Sequence, residues 1–240
     1  MKTKHSFPAF FVLLTLFFSS PIFAQDFRAA LVDYMYVPEG MSGEYVQMEK
    51  EVAKPIHQEM INMGKQEAWY LFAIPYPGGA NAEYHYATVR IFSTPEQLES
   101  PGNFGAALEK AHPGGNIEEM MDRVWKTRDL VKTHRLFSWE NFSADDLEAP
   151  PSILQVVYFK VPLEKENAYQ QMEREVYHPM HKKEIEKGRR AAWEGWALNA
   201  PWGSSQAYTH IAVDMYKDWE QYTSPNIEGL LEEVHPGKTQ

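Results

Sequence analysis

The sequence repeats itself over much of its length, and this repeat limits what the chain can fold into. When the sequence is displaced by 124 positions, residues 38–101 align with residues 162–225 without a gap, and 22 of these 64 positions are identical. So many identities in one ungapped stretch indicate a duplication. Two copies predict a pair of related folding units, because a solenoid needs at least three stacked repeats.

Both copies predict the same order of elements. A first strand rich in β-branched and aromatic residues covers 31–37 or 154–161, and a helix with an apolar stripe follows it. The two strands of a hairpin come next, and a second helical stretch follows them. The hairpin strands are predicted at 68–75 and 83–92 in the first copy, and at 192–199 and 207–216 in the second.

Only the first copy continues with a further helix, predicted over 117–132, and a last strand, predicted over 133–139. Residues 143–152 contain two aspartates and two prolines and are predicted to be a linker. The second copy has no counterpart to the last strand. We therefore expect one sheet edge without a neighbouring strand.

The first helix of each copy contains a proline, followed two residues later by a histidine. Pro55 and Pro179 remove a helical hydrogen bond, so a kink or break is expected just before each of them. His57 and His181 have two interpretations: they satisfy carbonyl groups freed by the kink, or they belong to a binding site. Their spacing from the acidic residues of the helix matches no zinc site, so no metal site is predicted.

The N-terminal residues predict an export signal. Lys2 and Lys4 precede an apolar run over 9–18, and Ala24 is a small residue at the expected cleavage point. The run is shorter than the roughly 20 residues that span a bilayer, which favours a signal peptide over 1–24 against a retained anchor. We therefore expect a periplasmic or secreted protein without disulfides, since the sequence has no cysteine.

The charge of the chain limits its partners. Without residues 1–24, 21 Lys and Arg remain against 33 Asp and Glu. Nucleic acids and anionic membranes need a basic surface, so neither is expected as a partner, nor is membrane insertion once the signal is removed. The expected partner is a small molecule, bound by a monomer or a homodimer.

The doubled β-α-β-β-α-β order resembles the dimeric α/β-barrel superfamily of ferredoxin-like domains. The segments KPIHQEM at 54–60 and HPMHKKE at 178–184 are similar to those of exported bacterial proteins. The resemblance implies an α+β fold in which two tandem ferredoxin-like units, 25–142 and 153–240, form one pseudo-symmetric barrel with helices outside. The second unit would lack its last strand. The superfamily includes cofactor-free monooxygenases and haem-binding proteins.

The third strand of each copy has one apolar and one polar face. Ala87, Val89 and Ile91 form the apolar face, which we expect to lie under the helices. The polar face would then line the barrel interior, where Arg90 and Asp214 occupy equivalent positions and could pair across the pseudo-twofold axis. These residues either fill the barrel as a satisfied polar network or surround a ligand cavity. The predicted catalytic residues are His210, Arg90 and Asp214, and the predicted ligand-binding residues are Tyr84, Tyr86, Tyr208, His57 and His181.

Three functions remain open at this point. The first is an exported protein that binds or transforms a small molecule inside the barrel without a cofactor, and the sequence does not decide whether it is an enzyme. The second is a non-catalytic protein-interaction module that uses the open sheet edge. The third, implied only by the resemblance, is haem binding with His210, His57 or His181 as the axial ligand.

Overall fold

The computed structural model describes residues 27–79, 81–99, 103–147, 150–224 and 227–238. The predicted signal peptide over 1–24 lies outside these residues. No helix in the described part is long and apolar enough to cross a membrane.

The described residues form one curled antiparallel sheet of seven strands in the order β2-β3-β1-β4-β6-β7-β5. The first four strands along the chain belong to the first half of the sequence, and the last three belong to the second half. Their bounds are β1 (Ala29–Tyr36), β2 (Ala68–Ala73), β3 (Tyr86–Phe92), β4 (Asp129–Ser143), β5 (Ile153–Phe159), β6 (Ala192–Ala200) and β7 (His210–Tyr216).

Helices connect the strands in both halves. The helices of the first half are α1 (Ser42–Met48), α2 (Lys54–Asn62), α3 (Pro95–Glu99), α4 (Phe104–Ala111) and α5 (Ile117–Thr127). Those of the second half are α6 (Glu166–Met172), α7 (His178–Glu186), α8 (Trp219–Tyr222) and α9 (Ile227–Val234), with a short 3₁₀ turn at Leu163–Lys165. Asn116 begins α5 because its side chain accepts a hydrogen bond from the Glu119 N–H.

The break predicted before each proline takes the form of a π-helical turn. Glu49–Ala53 joins α1 to α2, and Glu173–Tyr177 joins α6 to α7. Such a turn changes the hydrogen-bond spacing and leaves a carbonyl without its usual partner. Nε2 of His112 bonds the Val52 carbonyl oxygen at 3.1 Å, and Nε2 of His235 bonds that of Val176 at 2.9 Å. Loop histidines satisfy these carbonyls, and the helix residues His57 and His181 do not.

Strand β4 joins the two halves into one sheet. Its first part pairs with β1 and its second part pairs with β6, both antiparallel. The strand runs over Asp129–Ser143 and is much longer than the predicted 133–139. The preceding helix ends at Thr127 rather than at 132, because Arg128 already has an extended backbone and Leu130 pairs with Met35.

The interior of the curled sheet is apolar and is filled from both halves. Ala87 and Ile91 lie in this core, so the face assignment made from the sequence is wrong. Thr88 and Arg90 point to the opposite, helix-covered side. The apolar face of β3 turns to the interior because side chains from all the strands pack against one another there. The polar face of β3 instead borders a cavity under the helices. The buried core residues are Ala30, Val32, Tyr34, Ala87, Ile91, Leu136, Trp196, Leu198, Ile211 and Val213.

A close approach of β4 to β6 depends on a glycine. A Cβ placed at Gly195 would lie 2.5 Å from Cζ2 of the Trp139 ring, which is itself packed edge-on to Trp193. The ring therefore occupies the space that a side chain would need. Overpacked sites of this kind force side chains and backbone to shift.

We expect Gly195→Ala to destabilise the protein by about 1 to 3 kcal/mol, because the added methyl group displaces the Trp139 ring. Urea unfolding measures the change. Gly43→Ala is the control, since nothing lies within 4 Å of a Cβ at Gly43 in α1 and alanine favours a helix. Equal stability of Gly195→Ala and the wild type would contradict this view of the β4–β6 packing.

Candidate functional site

A cavity of about 300 Å³ lies between the helices and the sheet of the first half. We call it the helix-side pocket. Strands β1, β2 and β3 form its floor, and helices α2, α4 and α5 cover it. Its walls are mostly apolar and include Met35, Val52, Ile56, Met60, Trp69, Leu108, Met120 and Val124. A largely apolar cavity with a few polar groups is the usual form of a small-molecule site.

His57 lines the pocket as a neutral base. Its ring stacks on Trp69, with ring centroids 5.3 Å apart and planes 11° from parallel. Its Nδ1 lies 3.2 Å from Oε1 of Gln66, and because a carbonyl oxygen only accepts, Nδ1 carries the proton. Nε2 is then left with a free lone pair. Burial lowers the pKa of His57 to about 4, so the ring is uncharged at neutral pH.

Arg90 supplies a fixed positive charge to the pocket. Its NH2 lies 2.9 Å from Oδ2 of Asp33 on the neighbouring strand, and Oδ1 of Asp33 accepts a hydrogen bond from Thr133 at 2.6 Å. Both Arg90 and Asp33 line the cavity. The ion pair holds the guanidinium in place, while its other N–H groups leave it further hydrogen-bonding capacity.

Glu49 is a buried acid on the π-helical turn. Burial raises its pKa, and the neighbouring Tyr45 hydroxyl and Arg128 oppose this rise only in part. A carboxyl group in such a position is biased toward its protonated form. Burial also raises the pKa of Tyr45, so this phenol keeps its proton. The pocket therefore combines a neutral base, His57, with a buried carboxyl group, Glu49, whose pKa is raised.

Two buried donors in the pocket have no acceptor among the described residues. They are Nε2 of Gln66 and Nε of Arg128. Gln66 is only 3% exposed, so water does not reach its amide freely. An unpaired buried donor costs free energy, and a ligand oxygen in the cavity would remove that cost.

The predicted pairing of Arg90 with Asp214 is wrong, because each charge finds its partner within its own half. Oδ1 of Asp214 lies 3.0 Å from NH1 of Arg190, and Arg90 bonds Asp33. Arg190 occupies the position that Gln66 has in the first half. Each strand charge is thus neutralised by a nearby residue that the other half lacks, and neither reaches across the pseudo-twofold axis.

His181 differs from His57 in its hydrogen bonding. Its ring stacks on Trp193 with centroids 4.6 Å apart, and its Nδ1 accepts from Arg190, whereas Nδ1 of His57 donates. Burial, helped by Arg190, lowers the pKa of His181 to about 3. The side chain of Trp193, on which the His181 ring stacks, is almost completely buried. The second-half histidine is therefore partly buried against Trp193 and Arg190 and does not line the helix-side pocket.

His210 is also separate from the pocket. It is buried in the second half, where Nδ1 lies 3.0 Å from the Thr209 hydroxyl and Nε2 lies 3.8 Å from Glu166. Its ring packs against Tyr169. The predicted catalytic set of His210, Arg90 and Asp214 is not assembled, and only Arg90 of the three lines the cavity.

The predicted tyrosines lie in two places. Tyr84 and Tyr208 border the sheet interior, where they pack against Tyr34 and Tyr158 at centroid distances of 4.6 and 4.7 Å. Nδ1 of His134 bonds the Tyr208 hydroxyl. Tyr86 lies on the helix side against Tyr45. The four interior rings form a packed cluster, and none of the predicted tyrosines lines the helix-side pocket.

Sequence reasoning did not select Gln66 and Arg128. One signal was present: Gln66 has become Arg190 in the second copy, while the nearby His57 and Trp69 are kept as His181 and Trp193. A changed residue beside two unchanged ones marks a position where the two halves differ in chemistry.

No group of three potential metal ligands occurs among the described residues. Of the three predicted axial histidines only His57 lines the pocket, and its ring is stacked on Trp69. With a volume of about 300 Å³, the helix-side pocket is at the small end of ligand pockets.

No protein-family model and no curated protein matches this chain. Solved structures match it in fold. A protein from Lactobacillus acidophilus NCFM, provisionally named a monooxygenase, has a TM-score of 0.51 and 10% identity over 87% of each chain. A protein from Fusobacterium nucleatum with the same provisional name has a TM-score of 0.49 and 10% identity over 83% of this chain and 79% of that one. A single-residue variant of chlorite dismutase from Candidatus Nitrospira defluvii has a TM-score of 0.49 and 8% identity over 87% of this chain and 83% of that one.

At this level of identity the likeness shows the fold alone. The chain has an α+β fold of the dimeric α/β-barrel type, as the resemblance in sequence implied. The activities named for those proteins are theirs.

The lowered pKa of His57 predicts how the free energy of unfolding changes at acidic pH. Its ordinary pKa of 6.5 falls to about 4 on folding, so the unfolded chain binds the proton more readily and stability is lost as pH falls below 6.5. Between pH 6.5 and pH 5, the free energy of unfolding of His57→Gln, measured in urea, should fall by about 1 kcal/mol less than that of the wild type. Parallel pH profiles for the two proteins would show that His57 is not buried in this way.

Proposed function

We propose that this protein binds a small, mostly apolar molecule with an oxygen-bearing head group in the helix-side pocket, and promotes proton removal from it without a cofactor. The observation that carries the proposal is the mostly apolar cavity whose lining brings His57, Arg90 and Gln66 together; beside it, Nε2 of Gln66 and Nε of Arg128 are buried and have no acceptor in the described part of the chain. A carbonyl or phenolic oxygen would accept from them, and the apolar walls would hold the rest of the molecule.

The proposed chemistry is the transfer of one proton from the ligand to Nε2 of His57. The acidic group is a hydroxyl or a carbon next to a carbonyl, and the negative charge stays on the ligand oxygen. Arg90 and the two donors stabilise this oxyanion. As the anion forms next to the imidazole, the pKa of His57 rises, so the base becomes stronger when it is needed. The imidazolium then exchanges its proton with solvent and returns one to the ligand, which restores the neutral base.

We further propose that the chain consists of two tandem ferredoxin-like units, 25–142 and 153–240, and that it is exported after removal of residues 1–24. Equal strand registers support the tandem arrangement, since Val32 pairs with Val89 as Val156 pairs with Val213. The export proposal rests on the sequence of the N-terminus. The names of the structural neighbours agree with small-molecule chemistry in this fold.

The binding part of the proposal can be tested with 2-tetralone as a ligand that has a carbonyl, and tetralin as one that lacks it. We expect Gln66→Leu to weaken the binding of 2-tetralone by about tenfold in calorimetric titrations, because the ligand oxygen loses a donor. The affinity for tetralin should not fall. Gln58→Leu, on the exposed side of α2, is the control. An equal loss for both ligands would show that Gln66 only shapes the cavity.

The catalytic part is tested by deuterium exchange next to the carbonyl of 2-tetralone, followed by NMR. The wild-type protein should accelerate the exchange, and His57→Gln should lower the rate by about 100-fold because the base is lost. Binding should persist in this variant, since the donors remain. Exchange at the wild-type rate in His57→Gln would remove His57 from the mechanism, and binding without any exchange would leave a binding protein.

A further inference from the structure

The charges that line the helix-side pocket do not balance. The lining contains three cationic side chains, Lys65, Arg90 and Arg128, and two acidic ones, Asp33 and Glu49. Arg90 is neutralised by Asp33, whose Oδ2 lies 2.9 Å from NH2 of the guanidinium. Lys65 and Arg128 make no ion pair and no side-chain hydrogen bond with any described residue. The cavity therefore keeps positive charge, although the formal net charge of the chain is −10.

The second half neutralises the residue that is equivalent to Lys65. Arg189 occupies this position, and its Nε lies 2.9 Å from Oε1 of Glu184, whose side chain is buried. The position of Glu184 belongs to Met60 in the first half, and Met60 lines the helix-side pocket. The first half therefore has an apolar side chain where the second half has the acid that pairs with its cation.

Arg128 lies near an acid that does not neutralise it fully. Its charge lowers the pKa of Glu49 and of Tyr45, but burial raises both values by more. A carboxyl group that is biased toward its protonated form compensates a guanidinium poorly. Nε of Arg128 is buried and has no acceptor in the described part of the chain. Arg128 thus has both charge and a hydrogen-bond donor available for a ligand.

Lys65 directly precedes Gln66, so a free charge and a free donor lie close together in the pocket wall. Consecutive Cα atoms are about 3.8 Å apart, and both residues line the cavity. Nε2 of Gln66 has no acceptor among the described residues. A ligand that satisfies both side chains carries a negatively charged group next to a neutral oxygen. A carboxylate bonded to a ketone has this arrangement, and a carboxylate is the group that an ammonium ion pairs with most readily.

We propose that the helix-side pocket takes a 2-keto acid with an apolar side chain, whose carboxylate pairs with Lys65 and whose ketone oxygen accepts from Gln66. This inference rests on the proposed function and names its class of substrate. His57 removes a proton from the carbon next to the ketone, and the electron pair of that C–H bond forms the enolate, whose charge Arg128 stabilises. The two unmatched cations of the pocket then correspond to the two negative charges of the enolised keto acid.

The test compares phenylpyruvate with phenylpyruvamide, which has the same frame and ketone but no charge. In calorimetric titrations of the wild-type protein at neutral pH and low salt, phenylpyruvate should bind at least about tenfold more tightly. Added salt should reduce this difference, because it screens the attraction to Lys65. Equal affinities for the two compounds would overturn the proposal. Binding of 2-tetralone in that case would show that the proposed function stands, whereas no binding of any of the three compounds would remove both.

The variant Lys65→Met should remove the preference for phenylpyruvate and leave the affinity for phenylpyruvamide unchanged, because it deletes the charge and nearly keeps the length of the side chain. Lys110→Met, at an exposed position of α4 outside the pocket, is the control and should keep the preference. Circular dichroism establishes that both variants fold, and Lys65→Gln serves as a second uncharged variant. A preference that persists in both Lys65 variants would show that Lys65 does not hold the carboxylate and would overturn the proposal.

Discussion

The pairing of β4 with both β1 and β6 is the contact on which the rest of the structure depends. It places the strands of the two halves in one sheet, and the sheet curls so that each half covers the apolar face of the other. Burial of this shared face is the largest apolar contribution to stability that the fold offers. Once the interior is filled in this way, the polar face of β3 must lie under the helices. The helix-side pocket follows from that arrangement.

The two halves satisfy the same local requirements with different side chains. In each half a π-helical turn precedes the proline, and a loop histidine bonds the carbonyl that the turn leaves free. In each half a charged residue on the third strand is neutralised close by, but Arg90 uses Asp33 and Asp214 uses Arg190. The exchange changes the environment of the stacked histidine. His57 is left with Gln66 and a cavity, whereas His181 is packed against Arg190 and Trp193.

The helix-side pocket depends on the helices that cover the first half of the sheet. Helix α5 covers the first half and contributes Met120, Val124 and the neighbouring Arg128 to the pocket. Strand β4 completes the sheet beside β1 and β6, and the described residues place no strand at the equivalent position beside β5 and β2.

The sequence by itself determined the order of the elements, the break before each proline and the α+β barrel type, because these depend on local patterns and on the order of similar segments. It also selected His57 and Arg90. Only the tertiary structure decided which face of β3 is the interior, since alternation defines two faces without saying which one meets the other half. The partners of Arg90 and Asp214, and the roles of Gln66 and Arg128, were likewise decided there. They depend on side chains of different strands and helices that become neighbours only when each half packs together.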